Sequence, residues 1–221
     1  MILVFDLDDT LYNEVDFVKS GFSSVSNYLS NTYKLPSTFE DMCNLLSKDG
    51  RGQIFNKILD KYNFFSIKRL KKCISIYRYH KPNIRLFDSA ERCLQRFSAF
   101  TKYIVTDGNK LVQANKIKAL NIMSMFTGIY ITRNYGIDKE KPSPYCFLKI
   151  QARENSNPQN IVYIGDNSNK DFVGIKKLGF KTVRIKTGFY KDILVSKEYE
   201  AEFVLSSLDE IDSVFLSNLE K

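Results

Sequence analysis

A doubly wound parallel α/β sheet interrupted by an all-helical insert is the fold class that this 221-residue sequence predicts. Two observations carry the prediction. Short, continuously apolar runs recur along most of the chain and alternate with stretches of helical period; runs of that kind mark strands buried on both faces. One long segment early in the chain breaks the rhythm and holds helical periodicity alone. Regular alternation of such strands with helices implies a parallel sheet covered on both sides.

The first strand is Ile2–Phe5, which ends at an acid, Asp6. The segment from about Val15 to Tyr79 then holds four helical stretches, Phe17–Leu29, Thr38–Leu46, Gln53–Tyr62 and Ile67–Tyr79, punctuated by Pro36, Gly50 and Gly52. Its return leg, Lys81–Arg85, carries Pro82, whose restricted φ suits a hinge. The expected division is therefore a core of residues 1–14 plus 82–221 and a helical domain of residues 15–81. Five more strands are expected at Lys102–Thr106, Gly128–Thr132, Ile161–Gly165, Lys181–Ile185 and Glu202–Leu205. Helices are expected at Ala90–Phe100, Asn109–Leu120, Tyr145–Ala152 and Asp171–Leu178, the last stopped by Gly179.

With 43% hydrophobic and 26% charged residues, the composition excludes disordered and low-complexity classes. No apolar run approaches the roughly 20 residues of a membrane helix. The start, Met1 to Asp6, lacks the basic region of an export signal, so a cytoplasmic protein is expected. The scattered Cys43, Cys73, Cys93 and Cys146 are then expected to be reduced core thiols. The net charge of +8 is concentrated: Asn13 to Arg85 holds 13 Lys/Arg against 6 Asp/Glu, a balance of +7. The run Lys68–Lys72 reads most simply as a solvated helix face, and more sharply as part of a field that attracts a phosphorylated substrate. No helix-turn-helix, zinc-finger or RNP pattern accompanies the charge, so neither nucleic acid nor membrane is an expected partner.

The chemistry lies in the acids. In an open parallel sheet, ligands bind beyond the carboxyl ends of the strands. Asp6 and Asp8 leave the first strand at that edge; Thr106, Asp107 and Gly108 leave the second; Gly165 and Asp166 leave the fourth, with Asp171 five residues on. Acids brought so close repel, and a bound cation offsets the repulsion. Oxygen-only ligands suit Mg²⁺, which favours substrates bearing phosphate. The sole histidine, His80, lies in the insert, so histidine-based triads have no base here.

Four ordered motifs resemble those of the haloacid dehalogenase superfamily. They are Asp6-Leu7-Asp8-Asp9-Thr10 (DxDxT), Thr106 at the end of Ile104-Val105-Thr106, Lys141 before Pro142, and Gly165-Asp166-Asn167-Ser168-Asn169-Lys170-Asp171 (GDxxxxD). The resemblance implies a Rossmann-like core with a helical C1 cap. It implies Asp6 as the nucleophile that forms an aspartyl-phosphate, and Asp8 as general acid and then base. Thr106 and Lys141 would hold the phosphoryl oxygens, aided by backbone N–H groups at Leu7, Asp8, Asp107 and Gly108. Mg²⁺ would be held by Asp6, Asp166 and the Asp8 carbonyl, with Asp171 acting through water or orienting Lys141. An acid two residues after the nucleophile marks phosphoryl transfer, so the expected activity is hydrolysis of a small phosphorylated metabolite by a monomer or weak homodimer. The runs Tyr12-Asn13-Glu14 and GDNxxKDF resemble phosphatases encoded with surface-polysaccharide or nonulosonate genes, which leans toward a sugar phosphate. A phosphomutase of the same superfamily is the alternative, and a non-catalytic basic interaction protein the reading from another class.

Several residues carry two readings. Arg51, between Gly50 and Gly52, is a candidate contact to the leaving group and equally a solvated loop arginine. Asp171 and Asn109 each also fit a helix N-cap. Asp9, Asp107 and Asn167 fit loop formation. Glu14 and His80 fit structural roles.

Overall fold

The computed structural model describes residues 1–219. The chain divides into two compact units, Met1–Glu14 with Arg85 onward, and Val15–Ile84. The return boundary lies three residues beyond the expected 81/82. There the Asn83 N–H donates to Ser20 Oγ at 2.9 Å, which keeps that leg with the helical unit.

The first unit is built on a six-stranded, wholly parallel sheet. Its strands are β1 (Ile2–Phe5), β2 (Lys102–Thr106), β3 (Gly128–Ile131), β4 (Ile161–Gly165), β5 (Lys181–Ile185) and β6 (Phe203–Leu205), in the order β3-β2-β1-β4-β5-β6. The order reverses between β1 and β4, so the carboxyl ends of those two strands flank the switch point where open sheets bind ligands. Every residue of β1, β2 and β4 is buried, as their apolar runs demand, including the charged Lys102 that opens β2. Ile2 and Val4 pack on one face with Tyr103, Val105, Tyr163 and Phe147. Leu3, Phe5, Ile104 and Ile164 alternate to the other face and are equally buried. Each such side chain contributes about 1.5–3 kcal/mol of hydrophobic stabilisation.

The helices of the first unit that bear on the site are α6 (Lys110–Leu120), α7 (Tyr145–Glu154) and the short α8 (Val173–Lys176); α5 is Asp88–Arg96 and α9 Ser213–Leu219. Asn109 caps α6, its Oδ1 accepting from the N–H groups of Leu111 (3.0 Å) and Val112 (3.3 Å). Asn121 and Asn155 end α6 and α7 in the left-handed conformation that Asn tolerates. The helix expected at Asp171–Leu178 shrinks to one turn. Asp171 does not cap it, because its carboxylate is turned toward Lys141 and the Asn167 N–H.

The second unit consists of α1 (Glu14–Tyr33), which starts at the boundary, α2 (Phe39–Asp49), α3 (Ile54–Lys61) and α4 (Ile67–Tyr79). Val18, Phe22, Val25 and Leu29 line one face of α1 and bury against Met42, Ile54, Ile58, Leu59 and Cys73. Helix α1 outruns its apolar stripe at both ends. The Asp9 carboxylate accepts the Glu14 N–H at 2.8 Å at its start, and the Lys34 N–H still reaches the Ser30 carbonyl at its end. All four cysteines are free thiols. His80 is buried, its Nδ1 2.7 Å from the Tyr77 carbonyl oxygen. Among the described residues, no helix is long and apolar enough to cross a membrane.

Candidate active site

Strand β1 delivers Asp6 to the switch point, its N–H bonded to the Ile164 carbonyl at 2.8 Å. β4 delivers Asp166 beside it, and the turn after β4 brings Asp171 back toward both. Carboxylate oxygens of Asp6, Asp166 and Asp171 lie within 4.8 Å of one another, and all three residues are buried. Lys141 Nζ penetrates the cluster, 2.7 Å from Asp6 Oδ1, 2.8 Å from Asp171 Oδ1 and 2.8 Å from the Tyr163 hydroxyl. Asp171 Oδ2 also accepts the Asn167 N–H at 2.9 Å, which ties the turn to the cluster.

The electrostatics follow from this crowding. Burial, with Asp171 and Asp8 adding to it against the pull of Lys141, pushes the Asp6 carboxyl up to about 7. Burial, reinforced by Asp171 and Asp6, pushes Asp166 up to about 10. Burial disfavours the Lys141 ammonium too, but Asp171 and Asp6 overcome it and hold that group well above its ordinary value. Lys141 enters the cluster and Lys170 acts on it from its pairing with Asp107, yet the set remains short of positive charge. Three convergent, buried, all-oxygen donors, of which Asp6 and Asp166 resist ionising, fit a hard divalent cation.

Asp8 turns away from this cluster. Its Oδ1 accepts from Lys116 Nζ at 2.7 Å and from the Tyr12 hydroxyl; its Oδ2 accepts from Gln113 Nε2 at 2.9 Å. Burial opposes its ionisation, but the Lys116 ammonium and these hydrogen bonds outweigh burial and hold the carboxyl below its usual range. Gln113 Nε2 also donates to Thr106 Oγ1 at 2.6 Å, so one amide bridges the first two motifs.

Asp107 is a loop organiser. Its Oδ1 accepts from Thr132 Oγ1 (2.9 Å) and the Lys141 N–H (3.1 Å), and its Oδ2 pairs with Lys170 Nζ at 2.7 Å. The Gly108 N–H, expected to face phosphoryl oxygens, donates to Glu140 Oε1 at 3.2 Å. Gly108 itself sits at φ +118°, open to glycine and strained for any other residue. Asp9 accepts the N–H groups of Glu14 (2.8 Å) and Phe189 (3.1 Å), while its carbonyl accepts the Thr187 hydroxyl. Asn167 folds its own turn, its Oδ1 accepting the Asn169 N–H at 3.1 Å. Arg51 belongs to the helical unit, where it lines a cavity of about 360 Å³ with Phe22, Phe55, Tyr77 and Arg78.

The structure thus gathers Asp6, Lys141, Asp166 and Asp171 in one cluster and links Asp8 to Thr106 in a second. Sequence reasoning missed Tyr12, Gln113, Lys116, Tyr163 and Lys170. The signal for two of them was present: Gln113 and Lys116 share the buried stripe of α6 with Ile117 and Leu120. A polar residue on an apolar stripe, one helix after a motif, is a candidate partner for that motif.

The chain is 29% identical to the glyceraldehyde 3-phosphate phosphatase of Methanocaldococcus jannaschii, over 99% of this chain and 98% of that one. It is 29% identical to the enzyme of the same name from Pyrococcus furiosus, over 95% and 90% of the two chains. In fold it resembles a putative haloacid-dehalogenase hydrolase of Bacillus subtilis solved with magnesium bound, with a TM-score of 0.67, 17% identity, and 100% and 98% of the two chains covered. The family model for haloacid dehalogenase-like hydrolases matches residues 3–185, a span that holds all four motifs. The chain belongs to the haloacid dehalogenase-like hydrolase family.

Proposed function

We propose that this hydrolase removes phosphate from a small phosphorylated metabolite of sugar-phosphate size, with Asp6 as nucleophile. The observation that carries the reading is the buried Asp6–Lys141–Asp171 arrangement at the switch point, with Asp166 alongside. The two relatives named glyceraldehyde 3-phosphate phosphatase, matched over nearly their whole length, point to the same substrate class.

An Asp6 oxygen attacks phosphorus, forms the P–O bond of an aspartyl-phosphate and displaces the leaving oxygen, which takes a proton from the small fraction of Asp8 that is protonated, since Lys116 favours the carboxylate. Asp8 then accepts a proton from the water that hydrolyses the aspartyl-phosphate and frees orthophosphate. Lys141, kept charged by Asp6 and Asp171, stabilises the negative charge that builds on the phosphoryl oxygens. Lys116, Tyr12 and Gln113 hold Asp8 where it can meet the leaving oxygen. Asp6, Asp166 and Asp171 suit Mg²⁺, which when bound would neutralise their mutual repulsion and polarise the phosphoryl group.

The test is a panel of phosphorylated metabolites, including glyceraldehyde 3-phosphate and a generic aryl phosphate, assayed for released phosphate with Mg²⁺. We expect turnover that Asp6→Asn abolishes. Full activity in Asp6→Asn would reject the mechanism, and isomer conversion with no phosphate released would make the chain a mutase.

A further inference from the structure

We propose that Gln113 is a positioning residue that fixes the hydroxyl polarity of Thr106, so that Thr106 presents its proton to the phosphoryl group. The final clause rests on the function proposed above; the polarity does not.

The argument is one of donors and acceptors. Asp8 Oδ1 receives the Lys116 ammonium at 2.7 Å and the Tyr12 hydroxyl, which marks a carboxylate acting as acceptor. Its other oxygen, Oδ2, lies 2.9 Å from the Gln113 amide. A carboxylate accepts only, so the amide must present its NH₂ group and not its carbonyl. An amide's two ends are alike in shape, and the hydrogen-bond partners decide its orientation. The same Nε2 lies 2.6 Å from Thr106 Oγ1. Its second N–H therefore points at Thr106, and Thr106 Oγ1 is the acceptor of that bond. The hydroxyl proton of Thr106 is then directed elsewhere, available to a substrate oxygen.

The surroundings lock this arrangement. Gln113 is 2% exposed and Thr106 1% exposed, so neither group exchanges its partner for water. The Gln113 N–H bonds the Asn109 carbonyl at 3.0 Å, inside the first turn of the helix that Asn109 caps. The Gln113 stem packs on Gly108, where an added Cβ would lie 3.5 Å from its Cγ and Cδ. With the opposite amide orientation, the carbonyl of Gln113 would face Asp8 and draw the Thr106 proton inward.

Neutron diffraction from deuterated crystals reads the polarity directly. We expect both Nε2 deuterons of Gln113 to be visible, one toward Asp8 and one toward Thr106, with the Thr106 deuteron aimed away from Gln113. A Thr106 deuteron on the line to Gln113 would overturn the proposal, whatever the enzyme does in solution. The functional arm is a double-mutant cycle of Gln113→Met and Thr106→Val on phosphate release, with melting curves confirming that each variant folds. The Gln113→Met loss should shrink by about 10-fold once Thr106→Val has removed the hydroxyl. Equal losses in both backgrounds would show that Gln113 does not act through Thr106. A chain that releases no phosphate from any substrate would sink the functional reading and leave the polarity to the neutron map.

Discussion

At the scale of the residue, Asp166 pulls against folding. Its carboxyl ionises near the ordinary 3.8 in the unfolded chain but near 10 in the folded one, because burial and the neighbouring Asp171 and Asp6 disfavour the charge. A folded-state value raised in this way means that stability drains as pH climbs from about 4 toward 10. Asp166→Asn should therefore melt higher than the parent protein at pH 8 in chelator, by about 2–4 °C per kcal/mol relieved, while releasing no phosphate. The gain should vanish near pH 4, and calorimetry across that range checks the sign. Asp6, Asp8, Thr106, Asp166 and Asp171 stood out in the sequence because they follow strand ends, whereas Lys141, in the loop between β3 and α7, stood out only through the family resemblance. Gln113 and Lys116 were not, since a glutamine and a lysine on a helix read as solvated until the stripe they share with Ile117 is known to be buried.

At the scale of the element, β2 has a different role at each end. Its carboxyl end carries Thr106. Its amino end carries Lys102, 2% exposed, whose Nζ donates to the carbonyls of Phe97 (2.5 Å), Ser98 (3.2 Å) and Phe100 (3.2 Å). Those carbonyls follow α5, where a positive charge also meets the negative end of the helix dipole. Lys102→Met keeps the apolar stem and leaves the carbonyls unsatisfied. It should lower stability by about 2–4 kcal/mol in urea unfolding while the folded enzyme keeps its kcat. All six strands and the helices between them could be read from apolar runs and 3.6-residue periods, to within a few residues at the ends. The ends themselves could not. They depend on side-chain partners distant in sequence, as when Asp171 engages Lys141 instead of capping the helix that follows it.

At the scale of the whole molecule, charge and chemistry are segregated. The segment from Asn13 to Arg85 holds nearly all the excess positive charge, +7 of the net +8, whereas the acids that define the site lie in the first unit. A positive field speeds the encounter with an anionic substrate and is screened by salt over a Debye length of about 10 Å at 0.1 M. Raising sodium chloride from 20 to 500 mM should lower kcat/KM for a phosphorylated metabolite by about 3–10-fold and leave kcat nearly unchanged, a split that steady-state kinetics resolves. Two segments distant in sequence are also fastened together. Asp9, left-handed at φ 55°, receives the Phe189 amide and the Thr187 hydroxyl, and Gly188 between them has no room for a Cβ beside the Asp9 carboxylate. The connection between β5 and β6 is therefore split in its freedom to vary. Its opening triplet is pinned to the Asp9 turn, and Arg184 and Ser168 hold Ile193 and Glu200 further along, whereas the side chain of Leu194, 95% exposed, can be rewritten without the catalytic end registering the change.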